Sequence, residues 1–133
     1  MQQSIDLNQV DPSTINYDDP HHLIQMLMDG AIESVNNAKC HMEEKDTAGK
    51  GEDISKAISI LSGLMTALDM EQGGDISKNL LSLYDYMLTK LVEANMSDMT
   101  ENLDEVSTLL KEIKDGWAAI PQDIRKEFAD KQQ

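Results

Sequence analysis

The stretch GGDISKNLLSLYDYMLTKLVEAN at residues 73–95 gives the clearest indication of how this chain of 133 residues folds. Gly73 and Gly74 have no Cβ and suit the left-handed backbone that closes one helix before another begins. Asp75 is a good N-cap residue, and Asn95 tolerates the backbone that ends a helix. Between them, apolar residues recur at steps of three and four, as on one face of a helix. These residues are Ile76, Leu80, Leu83, Tyr84, Met87, Leu88 and Leu91.

Working back towards the start of the chain, two more amphipathic helices are predicted. The first begins at Asp19-Pro20, because proline at the first helical position loses no hydrogen bond. Residues 43–52 contain two glycines and no apolar period, and they predict a loop. The second helix follows and is expected to stop at Gly73-Gly74. Its apolar face is Ile54, Ala57, Ile58, Leu61, Leu64, Met65 and Leu68, and that of the first helix is Leu23, Ile24, Leu27, Met28, Ala31, Val35, Ala38 and Met42.

A fourth amphipathic helix is predicted after residue 96. Ser97 or Asp98 is the expected cap, and Asp98 and Glu101 have the spacing of a capping box. Pro121 either ends this helix or begins a short fifth one that carries Ile124 and Phe128. The apolar stripe of the fourth helix is Leu103, Val106, Leu110, Ile113 and Trp117.

Short links between amphipathic helices favour an antiparallel arrangement, because consecutive helices then lie side by side. We therefore predict an all-α chain, an antiparallel up-down four-helix bundle over residues 19–118. Residues 1–18 are polar and lack a sustained period, and they predict a flexible N-terminal tail. Residues 119–133 form a C-terminal extension with room for a short helix.

Charge and cysteine content exclude several classes of function. The chain has 25 acidic and 11 basic residues and a net charge of −14, so nucleic-acid phosphates and anionic lipid are unfavourable partners. It contains neither an apolar run near the roughly 18 residues of a membrane span nor a secretion signal, which favours the cytosol. The single cysteine, Cys40, cannot form a disulfide framework and is expected to pack as a small apolar side chain.

Catalytic and metal-binding patterns do not occur. A carboxylate-bridged di-metal bundle needs Glu three residues before His, and none of His21, His22 and His41 has it. Neither a glycine-rich phosphate loop after a strand nor a nucleophile elbow is present. We predict a protein that is not an enzyme, with no catalytic residue, metal site or cofactor.

Two helices carry more apolar residues than a single core-facing stripe requires. In the first helix these occupy positions 23, 24, 26, 27, 28, 31 and 32, and in the third they occupy 80, 81, 83, 84, 86, 87 and 88. The surplus predicts a partly exposed apolar strip on each helix. Such strips suit the docking of another amphipathic helix. Many of the nine methionines lie in or beside the helices, where flexible thioethers adapt to a partner.

At this level of detail the chain resembles the FliS family of flagellin-specific export chaperones over residues 20–118. The similarity lies in the turn and the Tyr-Asp-Tyr segment, in that order and spacing. Where the family usually has Leu-Tyr-Asp-Gly, this chain has Leu-Met-Asp-Gly. The matching segments are LMDGAI at 27–32, LDMEQGGDISKNL at 68–80, LYDYM at 83–87, LVEAN at 91–95 and KDGW at 114–117.

The resemblance implies a cytosolic chaperone that binds the amphipathic C-terminal segment of flagellin, prevents its premature polymerisation and keeps it competent for flagellar type III export. Components of the export gate are further expected partners. The alternative from the residues is a homodimeric helical-bundle scaffold or regulator without a flagellin client. Ile5, Leu7 and Val10 in the tail are expected to cover the binding groove when client is absent. The predicted partner-binding residues are Leu23, Met26, Leu27, Gly30, Asn79, Leu80, Leu83, Tyr84, Tyr86, Met87, Lys90 and Asn95.

Overall fold

A computed structural model describes residues 20–68 and 74–118, and these form four α-helices. The helices are α1 (Pro20–Glu43), α2 (Thr47–Thr66), α3 (Gly74–Ser97) and α4 (Thr100–Ala118). No strand occurs within the described residues. The predicted all-α class is confirmed. The tail residues Ile5, Leu7 and Val10 and the proposed fifth helix with Ile124 and Phe128 lie outside the described residues.

The four helices occupy the corners of a square. α1 packs against α2 and α4, and α3 packs against the same two helices, so α1 and α3 are diagonal to each other. Asn36 meets Ser107 and Lys39 meets Asp104, so a step forward along α1 is a step backward along α4. The predicted antiparallel four-helix bundle is confirmed. We call the end with the two short links, between α1 and α2 and between α3 and α4, the link end, and the opposite end the terminal end.

The core runs along the axis of this square and receives side chains from all four helices. The predicted stripes supply nearly all of the core, because the apolar residues spaced three and four apart lie on the side of each helix that faces the bundle axis. Ile60 and Ala94 are buried although the predicted stripes of α2 and α3 did not include them. Ile76 was predicted to face the core from α3 but is 72% exposed, because it lies in the first turn, at the end of the bundle. The buried apolar residues are Met28, Ala31, Val35, Ala38, Met42, Ile54, Ala57, Ile60, Leu61, Leu64, Tyr84, Met87, Leu91, Ala94, Leu103, Val106 and Leu110.

The link between α1 and α2 is shorter than predicted. α2 begins at Thr47, so the expected loop over residues 43–52 was too long. Asp46 caps α2, and its carboxylate accepts the backbone N–H of Gly49 at 3.0 Å. A Cβ on Gly49 would lie 2.6 Å from Asp46 Oδ2 and 2.9 Å from the His41 ring. This glycine therefore permits a close approach inside a helix and does not mark a loop.

Two other predicted helix ends were displaced. α2 ends at Thr66, with Ala67 as its C-cap, and not at Gly73-Gly74. Gly74 is the first residue of α3 and has a φ of +54°, the left-handed backbone that glycine adopts without a steric penalty. The predicted capping box at Asp98 was also wrong. Asp98 has a φ of +54° and donates its N–H to Ala94 O, so it closes α3, and α4 begins at Thr100.

A reciprocal contact joins the start of α1 to the end of α4. The rings of His21 and Trp117 stack with centroids 5.0 Å apart and planes 10° from parallel. The His21 Nε2 donates to Trp117 O at 2.6 Å, and the Trp117 Nε1 donates to His21 O at 2.9 Å. His21 is almost fully buried. The start of α1 and the end of α4 therefore lie side by side at the terminal end.

Candidate functional site

Three of the twelve predicted partner-binding residues belong to the core and not to the surface. Tyr84 and Met87 are buried between the helices, and burial raises the pKa of Tyr84 to about 12. Gly30 is also buried. The prediction that these three line a partner surface does not fit their positions, because a ligand on the outside of the bundle cannot contact them. An apolar residue at such a position contributes to packing.

The remaining residues on α1 lie on the side that faces α2. Leu23 precedes His41 by five full helical turns, and His41 contacts Asp53 of α2. Leu23 and Leu27 are both half-buried, and Leu27 packs against the core. Met26, also half-buried, lies further towards the outside of the helix. We refer to Leu23, Met26 and Leu27 as the α1 strip.

On α3, one group of predicted residues faces α4. The Tyr86 hydroxyl donates to Glu105 of α4, and this hydrogen bond raises the pKa of Tyr86. The Lys90 ammonium lies 5.4 Å from the centroid of the Tyr86 ring and 3.4 Å from Glu93, whose negative charge raises the pKa of Lys90. Leu83, half-buried, lies one turn before Tyr86 on the same side. Leu83, Tyr86 and Lys90 make up what we call the α3 strip.

The two strips are separated by the bundle itself. α1 and α3 occupy diagonal corners, so the surplus apolar residues of these helices do not form one groove between them. Asn79 is exposed near the start of α3, Leu80 packs half-buried against the core, and Asn95 is exposed near the helix end. The backbone oxygen of Asn95 also accepts a hydrogen bond from the Lys50 ammonium at 3.1 Å, which joins α3 to α2.

Among the residues that the structure describes, five large apolar side chains are exposed, and four of these five were absent from the predicted set. Ile76 is 72% exposed at the terminal end of α3, and Met96 is 81% exposed at the link end. Val92 and Met99 are each nearly half exposed and lie close to Met96 in sequence. Val92 and Met96 are four residues apart on the outside of α3, and neither belongs to the core-facing stripe from which the binding residues were predicted.

Residues with potential for chemistry do not assemble into a reactive site in the part of the chain that the structure describes. Cys40 is exposed, so the expectation that it packs as a small apolar residue was wrong. His41 donates from Nδ1 to Asp53 Oδ2 at 2.5 Å. Within residues 20–68 and 74–118, no three His, Cys, Asp or Glu side chains are grouped so that they could hold a metal ion. None of the described helices is long and apolar enough to cross a membrane.

Comparison with protein families agrees with the motifs and the fold. A family model described as Flagellar protein FliS matches residues 3–124 of this chain. The chain belongs to the FliS family. This match includes the whole of the bundle and most of the segment before it. The FliS resemblance seen in the turn and the Tyr-Asp-Tyr segment is thereby confirmed.

Individual relatives in the FliS family are similar over about three quarters of the chain. The flagellar secretion chaperone FliSB of Pseudomonas aeruginosa is 52% identical over 101 residues, which are 76% of this chain and 80% of that protein. The flagellar secretion chaperone FliS of Salmonella typhimurium is 44% identical over 102 residues, 76% of each chain. The FliS protein of Vibrio cholerae is 43% identical over 102 residues, 77% of this chain and 75% of its own length.

Proposed function

We propose that this chain is a cytosolic flagellar secretion chaperone that binds the amphipathic C-terminal segment of flagellin, prevents its premature polymerisation and keeps it competent for type III export. Membership of the FliS family supports the chaperone role. The observation that carries the choice of client is the pair of partly exposed apolar strips on α1 and α3. Such strips could cover the apolar face of an amphipathic flagellin helix, which would otherwise associate with the apolar faces of other flagellin molecules.

The two strips differ in ways that suit a long, adaptable client. The α1 strip is wholly apolar, and its methionine can change shape to fit different contacts. The α3 strip adds polar groups beside Leu83, since the Tyr86 hydroxyl and the Lys90 ammonium both lie at its surface. Apolar contacts would provide most of the binding free energy, and these polar groups would fix the position of the client.

Ordering a client segment costs conformational entropy, so binding requires several contacts at once. Because the strips lie at diagonal corners, a segment that reaches both must pass around α2 or α4. We therefore propose that flagellin wraps around the bundle instead of lying in one groove. No chemical step is needed for this role, and release at the export apparatus, with the export gate as a further partner, would return the strips to water.

Isothermal titration calorimetry of the full chain with a flagellin C-terminal peptide tests the proposal. We expect saturable binding in the micromolar range or tighter. Absence of heat, together with an unchanged NMR spectrum of the chaperone at such concentrations, would rule out the proposed client. Sedimentation of the same mixtures tests the scaffold alternative, which requires a dimer that persists unchanged when the peptide is present.

A matched pair of variants tests the α3 strip. Leu83→Ser removes a half-buried leucine from the strip, and Leu81→Ser removes a half-buried leucine from the opposite side of α3, outside both strips. Each variant loses a similar apolar side chain, so both should be destabilised to a similar degree. We expect only Leu83→Ser to weaken peptide binding, by about tenfold, as the loss of one well-packed apolar contact implies. Equal weakening by both would show that the strip is not the client surface.

A further inference from the structure

Within residues 20–68 and 74–118, a group of strongly exposed apolar side chains lies at the link end, away from most of the two strips. It consists of Val92, Met96 and Met99, and we call it the methionine surface. Along the axis of α3, Met96 lies about 24 Å from Leu80, from the rise of 1.5 Å per residue. In a single chain, such side chains are costly to leave in water unless a partner covers them.

Most of the charges around the methionine surface are negative. From Val92 to Leu110 the chain contains five acidic residues and no basic one. Lys50 and Lys39 reach Asp98 and Asp104 from other helices, at 2.5 and 2.7 Å, and Lys90 reaches Glu93. Glu105 accepts the Tyr86 hydroxyl and lies near the Lys90 ammonium, whereas Glu101 is exposed at the start of α4. The acidic residues of this segment are Glu93, Asp98, Glu101, Asp104 and Glu105.

The link between α1 and α2 adds further negative charge at this end of the bundle. The link between α1 and α2 lies at this end of the bundle and has Glu43, Glu44 and Asp46 at its surface. Lys45 is the basic residue in this link. The end of the bundle therefore presents exposed methionines in a predominantly negative surround. A second copy of the chain is an unfavourable partner here, since it would bring like charges together.

We propose that the methionine surface docks an amphipathic helix with a cationic rim, supplied by another protein. The apolar face of that helix would cover Val92 and Met96, which are one helical turn apart on the outside of α3. Its lysines or arginines would lie next to Glu101, at the start of α4. Flexible thioethers allow such a surface to accept more than one sequence, so charge and amphipathicity define the partner class.

The test uses an 18-residue peptide of leucine and lysine with leucine on one helical face, added to the full-length chain. Control peptides have glutamate in place of lysine, or the same composition in scrambled order. We expect the lysine peptide to bind, with NMR shifts concentrated in residues 92–102, and the two controls to bind at least tenfold more weakly. Shifts spread over all acidic surfaces would overturn the proposal, because they would indicate charge attraction alone.

Variants with a matched control separate the apolar contribution from the charge. Met96→Ser and Ile76→Ser each remove a highly exposed apolar side chain from α3 without changing its charge, one at each end. We expect Met96→Ser to weaken the lysine peptide at least fivefold and Ile76→Ser to leave it unchanged. Similarly, Glu101→Gln should weaken it more than Glu112→Gln, which lies towards the other end of α4. Equal effects within either pair would contradict a defined surface.

This inference goes beyond the proposed flagellin site, and its failure can be told apart from the failure of that proposal. Leu83→Ser should lose the flagellin peptide and keep the lysine peptide, while Met96→Ser should do the reverse. If the flagellin peptide never binds and the lysine peptide does, the methionine surface stands and the proposed client does not. If the pattern of the two variants is identical for both peptides, there is a single binding surface and the inference is wrong.

Discussion

His41 shows how one residue determines the shape of a link. Its Nδ1 lies 2.5 Å from Asp53 Oδ2, and its Nε2 lies 3.8 Å from Asp46 Oδ2. The hydrogen bond to Asp53 raises the pKa of His41, and partial burial opposes that rise. The ring also occupies the space that a Cβ on Gly49 would need. The imidazole of His41 therefore joins the end of α1 to the first turns of α2.

The raised pKa of His41 predicts a dependence of stability on pH. The folded-state pKa lies above the unfolded value of about 6.5, so the stabilisation is complete below that value and is lost as the pH rises through the folded-state pKa. We expect wild type to exceed His41→Gln in free energy of unfolding by more at pH 5.5 than at pH 9, in urea titrations. In an Asp53→Asn background the difference should no longer vary with pH. A constant difference in the wild-type background would contradict this assignment.

At the scale of elements, Lys50 joins the first turn of α2 to the end of α3. It is almost fully buried, and its ammonium contacts both Asn95 O and Asp98 Oδ1. Asp98 itself is well exposed, so water screens this ion pair on one side. The aliphatic stem of Lys50 fills space between the helices, which gives the residue a packing role besides its charge.

Two substitutions of Lys50 should separate packing from charge. Lys50→Met keeps the stem and removes the ammonium, and because Asp98 remains in water we expect a loss of about 1 kcal/mol or less. Lys50→Ala also removes the buried stem and should cost about 2 kcal/mol or more. Urea unfolding measures both, with Lys78→Ala, on the exposed side of α3, as a control near zero. Equal losses for the two variants would show that the charge dominates and that the stem contributes nothing.

Helix interiors were predictable from the sequence, and helix ends were less so. Steps of three and four in the apolar residues identified all four elements, because burial imposes that period on each helix. Gly49 and Gly51 suggested a loop, but Gly49 is required by the His41 ring, a contact between residues distant enough that no local pattern shows it. Asp98 fits a capping box by spacing, yet its carboxylate is bound to Lys50 of another helix.

At the scale of the molecule, the sequence indicated the apolar strips but not their relative positions. Periodicity assigns residues to a face of one helix and contains no information on which helices are neighbours. Tyr84 and Met87 lie on the side of α3 that the bundle buries, and this becomes clear only once α2 and α4 are in place. On α3 the surplus includes the exposed Tyr86, and on α1 its members Leu23, Met26 and Leu27 are half-buried, so the sequence did not divide core from surface on either helix.

A prediction for the N-terminal tail also belongs to this scale, since the contact between His21 and Trp117 fixes the start of α1 at the terminal end. The prediction that Ile5, Leu7 and Val10 cover the client surface implies competition with flagellin. Deleting residues 1–16 should then strengthen binding of the flagellin peptide several-fold, because no fraction of the protein would have its client surface covered by the tail. Calorimetry measures the change, and Ile5→Ser/Leu7→Ser/Val10→Ser should reproduce it. Unchanged or weaker binding would reject this role for the tail.

The diagonal placement of α1 and α3 has a consequence for affinity. A flagellin segment long enough to reach both corners is a bivalent ligand, and once one half is held, the other half searches only the short distance its own backbone allows. Two weak binding contacts on one segment would then give a much higher overall affinity than either alone. Cutting the segment between its two halves should remove most of the avidity while leaving every individual contact intact. Weakening the contact at one corner would then favour stepwise release of the segment, first from that corner and then from the other.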